Sequence, residues 1–233
     1  MNGRALIAEF VGTFALIFVG VGAIAANSAA GDDRTLVGVA LAHGLTIAVM
    51  VAATAAISGG HLNPAVTIGA LVTKKIDSMN AVGYIIAQCL GGIVAAALIK
   101  VALPDALLNG VGMGTPTLAG DISVGKGILI EAVLTFFLMF VIYGTAIDPR
   151  GPGVAPLFIG LTVGLDILVG GPFTGAAMNP ARHLGPALLG GGGRDIAVYW
   201  IGPVAGAVLA ALLYHHLLEK LPADLAPEGR GRR

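Results

Sequence analysis

The chain has 233 residues, of which 56% are hydrophobic and only 11% charged, with a mean hydropathy of +0.90. A soluble domain carries about 25% charged residues, so the composition excludes an ordinary soluble enzyme, a nucleic-acid binder and a disordered tail. Thirteen Lys and Arg balance thirteen Asp and Glu, which leaves no basic excess to hold phosphate or DNA. The 36 glycines point to helices whose backbones pack closely within a membrane. A single cysteine, Cys89, rules out an internal disulfide and a cysteine-based metal site.

A helix crosses the ~30 Å bilayer core with about 20 apolar residues. Residues 10–31 carry no charge and form the first candidate span, with Glu9 at its start. It is too long for the core of a removable signal peptide. Residues 35–73 are also free of charge, but this stretch is too long for one span and too short for two. Residues 78–99 are the next span, and residues 127–147 follow with Glu131 as their one charge. Residues 152–189 repeat the excess length and contain Asp166, and residues 196–218 are the last span.

Both overlong stretches contain glycines followed by Asn-Pro-Ala: Ser58-Gly59-Gly60-His61-Leu62-Asn63-Pro64-Ala65, and Gly170-Gly171 through Asn179-Pro180-Ala181. Glycine and proline end a helix, and proline suits the first turn of a new one. Each excess is therefore read as a half-helix. One starts at Pro64 and ends near Lys74; the other starts at Pro180 and ends near the run of glycines at 190–193. Gly59, Gly60, Gly170, Gly171 and Gly175 are placed in the non-helical approaches to them. The fold class is an all-α membrane protein with six transmembrane helices and two re-entrant half-helices.

The halves repeat. Glu9, Val11, Thr13, Phe14, Leu16 and Phe18 match Glu131, Val133, Thr135, Phe136, Leu138 and Phe140 at a shift of 122. The tripeptides match at a shift of 116, and Tyr84, Ile86 and Gly91 match Tyr199, Ile201 and Gly206 at 115. Three spans per half force the second half to run upside down, which brings the two half-helices together at the bilayer midplane. The chain reads as one transmembrane domain over 1–233, with halves at about 1–102 and 123–220, a connecting loop at 103–122 and a tail at 219–233. With both termini in the cytoplasm, Arg4, Lys74, Lys75, Arg150, Lys220, Arg230, Arg232 and Arg233 lie inside. Arg34, Lys100, Lys126, Arg182 and Arg194 then lie outside. The excess of basic residues favours that orientation.

Each half-helix begins with unpaired N–H groups and about half a positive charge. Asn63 and Asn179 stand at the N-cap positions, where their amides both cap the helix and offer donors. Such a midplane suits small neutral solutes with an acceptor atom and opposes cations.

These paired motifs, Ser58 to Thr67 and Met178-Asn179-Pro180-Ala181-Arg182, resemble those of the major intrinsic protein family, the aquaporins and glycerol facilitators. The resemblance runs from Ala8 to about Leu218. It implies the aquaporin fold, a homotetramer with one pore per subunit, and a passive channel for water and small neutral solutes. It implies no enzyme activity, no cofactor and no metal; the expected partners are the solutes, the lipid bilayer and further copies of the chain, with no nucleic acid. The expected location is the plasma membrane, for a prokaryotic source. By the same resemblance the selectivity filter is His43, Ile167, Ala176 and Arg182, a set similar to that of plant tonoplast-type members. Ammonia, hydrogen peroxide and urea then join water as candidate solutes. Glu9, Glu131 and His61 are assigned to supporting the loops. Glycerol facilitators usually carry Asp after the arginine, whereas this chain has His183, and Tyr199-Trp200 also fits water channels better. A secondary transporter would need ion-binding carboxylates at the midplane, where the duplicated Asn-Pro-Ala supplies donors instead. Asp166 departs from the asparagine usual in the tonoplast-type subgroup and is expected to turn away from the pore. Cys89 is expected to be a packed thiol, and His215, His216 and the arginine-rich tail have no assigned role.

Overall fold

The computed structural model describes residues 2–31, 36–190 and 192–219. Arg34, Lys220, Arg230, Arg232 and Arg233, counted above for orientation, lie outside the described residues. The described residues are helical with no strand. In chain order the helices are α1 (Gly3–Ala29), α2 (Leu36–Ser58), α3 (Pro64–Val72), α4 (Ser78–Ala102), α5 (Asp105–Gly110), α6 (Val124–Ile142), α7 (Ala155–Thr174), α8 (Pro180–Gly190) and α9 (Ile196–Leu213). Six of them are long and apolar enough to cross a membrane, α6 and α9 with their flanking turns included. A wide belt of exposed aliphatic side chains, including Leu41, Leu45, Val49, Leu161, Leu165 and Val169, suits a lipid or protein surround.

The packing follows the repeat. Helix α1 packs on α4 as α6 packs on α9, and α2 crosses α7 at the junction of the halves. The half-helices are exchanged: α3 packs on α9, and α8 packs on α4. Lipid offers little hydrophobic force between helices, so close backbone approach at small residues does the joining. Gly91 lies against the Phe10 carbonyl and Gly206 against the Ala132 carbonyl, so that a Cβ at either would overlap it. Gly44 and Gly160 face each other where α2 crosses α7. These contacts account for part of the glycine count.

Two details differ from the expectations. Helix α1 starts at Gly3, so Glu9 lies in the body of the helix. Gly170 and Gly171 are helical; α7 runs through them and Pro172 to Thr174, and ends at Gly175 in the left-handed region, φ 77°. Gly170 is small because Leu134 of α6 occupies the space of its Cβ. Gly59 and Gly60 do form the non-helical approach to α3, with φ of 89° and 65°.

Candidate functional site

Both half-helices start in the same way. Asn63 caps α3: its Oδ1 accepts from the Ala65 N–H at 2.9 Å, and Pro64 follows in the first turn. Asn179 does the same for α8, accepting from Ala181 N–H at 3.0 Å. The amide groups cross between the halves. Asn63 Nδ2 donates to the Met178 carbonyl at 2.8 Å, and Asn179 Nδ2 donates to the Leu62 carbonyl at 2.9 Å. One N–H of each amide is thereby used. A second donor remains on each, and both side chains line one cavity of about 250 Å³.

The non-helical approaches hang from two buried carboxylates. Glu9, fully buried, accepts from Ser58 Oγ at 2.6 Å, the N–H groups of His61 and Leu62 at 2.9 and 2.6 Å, and Gln88 Nε2 at 2.7 Å. Glu131, equally buried, accepts from Thr174 Oγ1 at 2.7 Å and from the N–H groups of Ala177 and Met178 at 2.9 and 2.7 Å. Non-helical backbone at membrane depth persists only where its polar groups find partners; here one carboxylate per half serves two N–H groups. Tyr84 and Tyr199 complete the pattern, donating to the Ser58 and Thr174 carbonyls at 2.8 and 2.7 Å. Leu62 and Met178, at φ of 51° and 52°, occupy a region that side chains rarely adopt.

His43, Ile167, Ala176 and Arg182 come together on the same cavity wall system, from α2, α7, the approach to α8, and α8 itself. All four are nearly fully buried. His43 Nδ1 lies 2.8 Å from the Val39 carbonyl, and Arg182 Nε lies 3.2 Å from His43 Nε2. Arginine only donates, so Nε2 accepts and the imidazole is the neutral Nδ1–H form. Arg182 Nη2 donates to the Gly114 carbonyl at 2.9 Å, while its Nη1 has no partner among the described residues. His43 fits because Gly20 of α1 has no side chain; a Cβ there would overlap the imidazole. His61 also lines the cavity, with Nδ1 3.1 Å from Thr67 Oγ1 and its ring edge-on to Tyr84.

Several of these parts lay outside the sequence reading. Gly114 belongs to the connecting loop, which carried no motif. Gly20 was one glycine among many. Ser58, Thr174, Tyr84 and Tyr199 stand at repeat-related positions, so the repeat itself was the signal that pointed to them. His183 is fully buried and stacks on Tyr199 at 4.2 Å, and it is absent from the cavity wall. Asp166 is also buried and off that wall, and its Oδ2 has no partner among the described residues. Cys89 is half-buried in α4.

At the cavity end near the C-terminus of α9, the charged groups are paired. Arg150 grips Asp148 with two nitrogens and holds the Leu218 carbonyl at 3.0 Å. These bonds from Arg150 keep the Asp148 carboxyl well below the usual carboxylate range. Glu219 is likewise lowered, first by Lys75 and then by His215. Among the described residues no group of His, Cys, Asp and Glu could hold a metal ion.

Residues 1–214 match the model of the family described as "Major intrinsic protein". "Aquaporin TIP4-4" of Zea mays is 46% identical, over 95% of this chain and 91% of that protein. "Probable aquaporin TIP3-2" of Arabidopsis thaliana is 43% identical, over 92% and 84%. Among solved structures, the aquaglyceroporin of Plasmodium falciparum superposes with a TM-score of 0.79 at 28% identity, covering 92% of this chain and 96% of that one. The half-helix architecture and the extent of these matches agree: the chain belongs to the major intrinsic protein family and is an integral, multi-pass membrane protein.

Proposed function

We propose that the chain is a passive water channel and that the cavity between α3 and α8 is its passage. The observation that carries this reading is the meeting of two capped half-helix starts at one cavity, each with an asparagine donor to spare. Water passing there is held by donors from both halves, and the positive ends of α3 and α8 oppose cations. Arg182 adds a fixed positive charge, and its partner-free Nη1 is a donor for the solute. The relatives' names, which call them aquaporins, support the same reading.

The filter we assign is His43, Ile167, Ala176 and Arg182, similar to tonoplast-type members. Two walls are polar and two are apolar, Ala176 being small. Such a constriction admits water and extends to ammonia, hydrogen peroxide and urea. The solved neighbour is an aquaglyceroporin, yet His183, where glycerol facilitators carry Asp, is stacked away from the passage; water remains the favoured solute. The loop-supporting roles of Glu9, Glu131 and His61 belong to this proposal. So do the homotetramer and the cytoplasmic placement of both termini, the latter on the excess of Lys and Arg at that side. The plasma-membrane assignment rested on a prokaryotic source, and the relatives named above are plant proteins, so it is not carried further.

The test is osmotic shrinkage of proteoliposomes followed by stopped-flow light scattering. Water flux well above that of protein-free vesicles, with low activation energy, supports the channel. Flux equal to bare lipid contradicts it, and glycerol flux as fast as water favours the facilitator.

A further inference from the structure

Among the described residues, two with a formal positive charge line the cavity, one at the start of α8 and one beyond the end of α3. Arg182 belongs to the filter; Lys75 stands beyond the C-terminus of α3. The repeat does not account for Lys75, since the position 116 residues later, 191, is a glycine. Its N–H bonds the Ala70 carbonyl at 2.9 Å, which fixes its backbone at the end of the half-helix. Its ammonium donates to Glu219 Oε1 at 2.7 Å, with the two side chains 29% and 21% exposed. Glu219 Oε2 lies 2.6 Å from His215 Nδ1.

Glu219 is held from behind. It follows the wide turn Tyr214–Leu218 that ends the last span, and its N–H returns to the Tyr214 carbonyl at 2.8 Å. Tyr214 donates to Asp148 at 3.1 Å, and Arg150 holds the Leu218 carbonyl. The carboxylate is therefore presented to Lys75 from a fixed support.

We propose that Lys75 is a second charge-bearing residue of the passage, one that sets its water flux, and that Glu219 is the counter-ion that positions and neutralises it. The inference rests on the reading of the cavity as the water passage. With Glu219 in place the ammonium lies against the wall. Without it, a strongly hydrated point charge on a flexible four-carbon stem swings across the mouth, where it binds passing water and narrows the opening. Among the described residues, Asp148 does not replace Glu219, because it is already engaged by Arg150.

The experiment is a double-mutant cycle on the full chain in proteoliposomes, reading osmotic water permeability. Glu219→Gln slows the flux about two- to fivefold, the population shift expected on losing a partly exposed ion pair. In a Lys75→Met background the same substitution has no effect. Equal slowing in both backgrounds, or no slowing in either, overturns the inference while leaving the channel intact. Wild-type flux no faster than protein-free vesicles overturns the channel reading and this inference with it.

Discussion

Around α3 and around α8 the backbone repeats, while the chemistry facing the cavity does not. Glu9 and Glu131 hold two successive N–H groups each, Ser58 and Thr174 donate to them, and Leu62 and Met178 share a left-handed turn. Beyond that frame the halves part. Val66 stands in the first half where Arg182 stands in the second, and Thr67 where His183 stands. Thr67 joins His61 and Gln88 in a hydrogen-bonded group, whereas His183 stacks on Tyr199. The shared part answers a demand that both halves face, the satisfaction of bent backbone inside a membrane. The differing part answers no such demand, and it sits at the proposed filter and beside His61, which also lines the cavity.

If the carboxylates carry the shared frame, removing either should break the fold. Glu9→Ala and Glu131→Ala each leave two N–H groups of the bent backbone without a partner, at about 1–3 kcal/mol per buried group. Both variants should fail to yield folded protein or should melt far below wild type in detergent. Tolerance of one and not the other would end the equivalence.

The glycine contacts test the same symmetry at smaller cost. Gly91→Ala and Gly206→Ala each drive a methyl group into a carbonyl of the neighbouring helix, for about 1–3 kcal/mol of overpacking. Thermal melts should show losses of similar size in both. A change at only one would mean that α1–α4 and α6–α9 are not held alike.

The asymmetric part responds in transport rather than in stability. His43→Phe with Ile167→His should reduce urea or ammonia flux while water flux survives. Unchanged urea and ammonia flux would remove these residues from the filter. The smallest effect concerns pH. The carboxyls of Asp148 and Glu219 are lowered by their cationic partners. Their stabilising contribution is present above the ordinary carboxylate value of about 4 and is lost as pH falls through the lowered one. Melting temperature should therefore keep that contribution between pH 7 and 5 and lose it only under stronger acid. Its loss at pH 6 would contradict the pairing.

Much of this was legible in the sequence because membrane burial makes polar residues informative. Glu9, Glu131, Asn63 and Asn179 stand out in apolar surroundings, and their duplication fixed the architecture. Other parts were not legible because backbone supplies them. The Gly114 carbonyl on Arg182 comes from a loop with no motif, and the room for His43 comes from a missing side chain at Gly20. Gly170 and Gly171 misled: glycines that commonly end helices here serve packing inside one. Lys75 read as an orienting surface charge, and only its neighbours in space, Glu219 and the cavity, give it another place.

The central claim is that water passes through the cavity bounded by His43, Ile167, Ala176 and Arg182. The most direct test is Ile167→Trp, which fills the constriction from one wall, compared with wild type in matched proteoliposomes by stopped-flow shrinkage. Water flux should fall to the level of protein-free vesicles, with folded protein still present. A folded Ile167→Trp channel that conducts water as fast as wild type would contradict it.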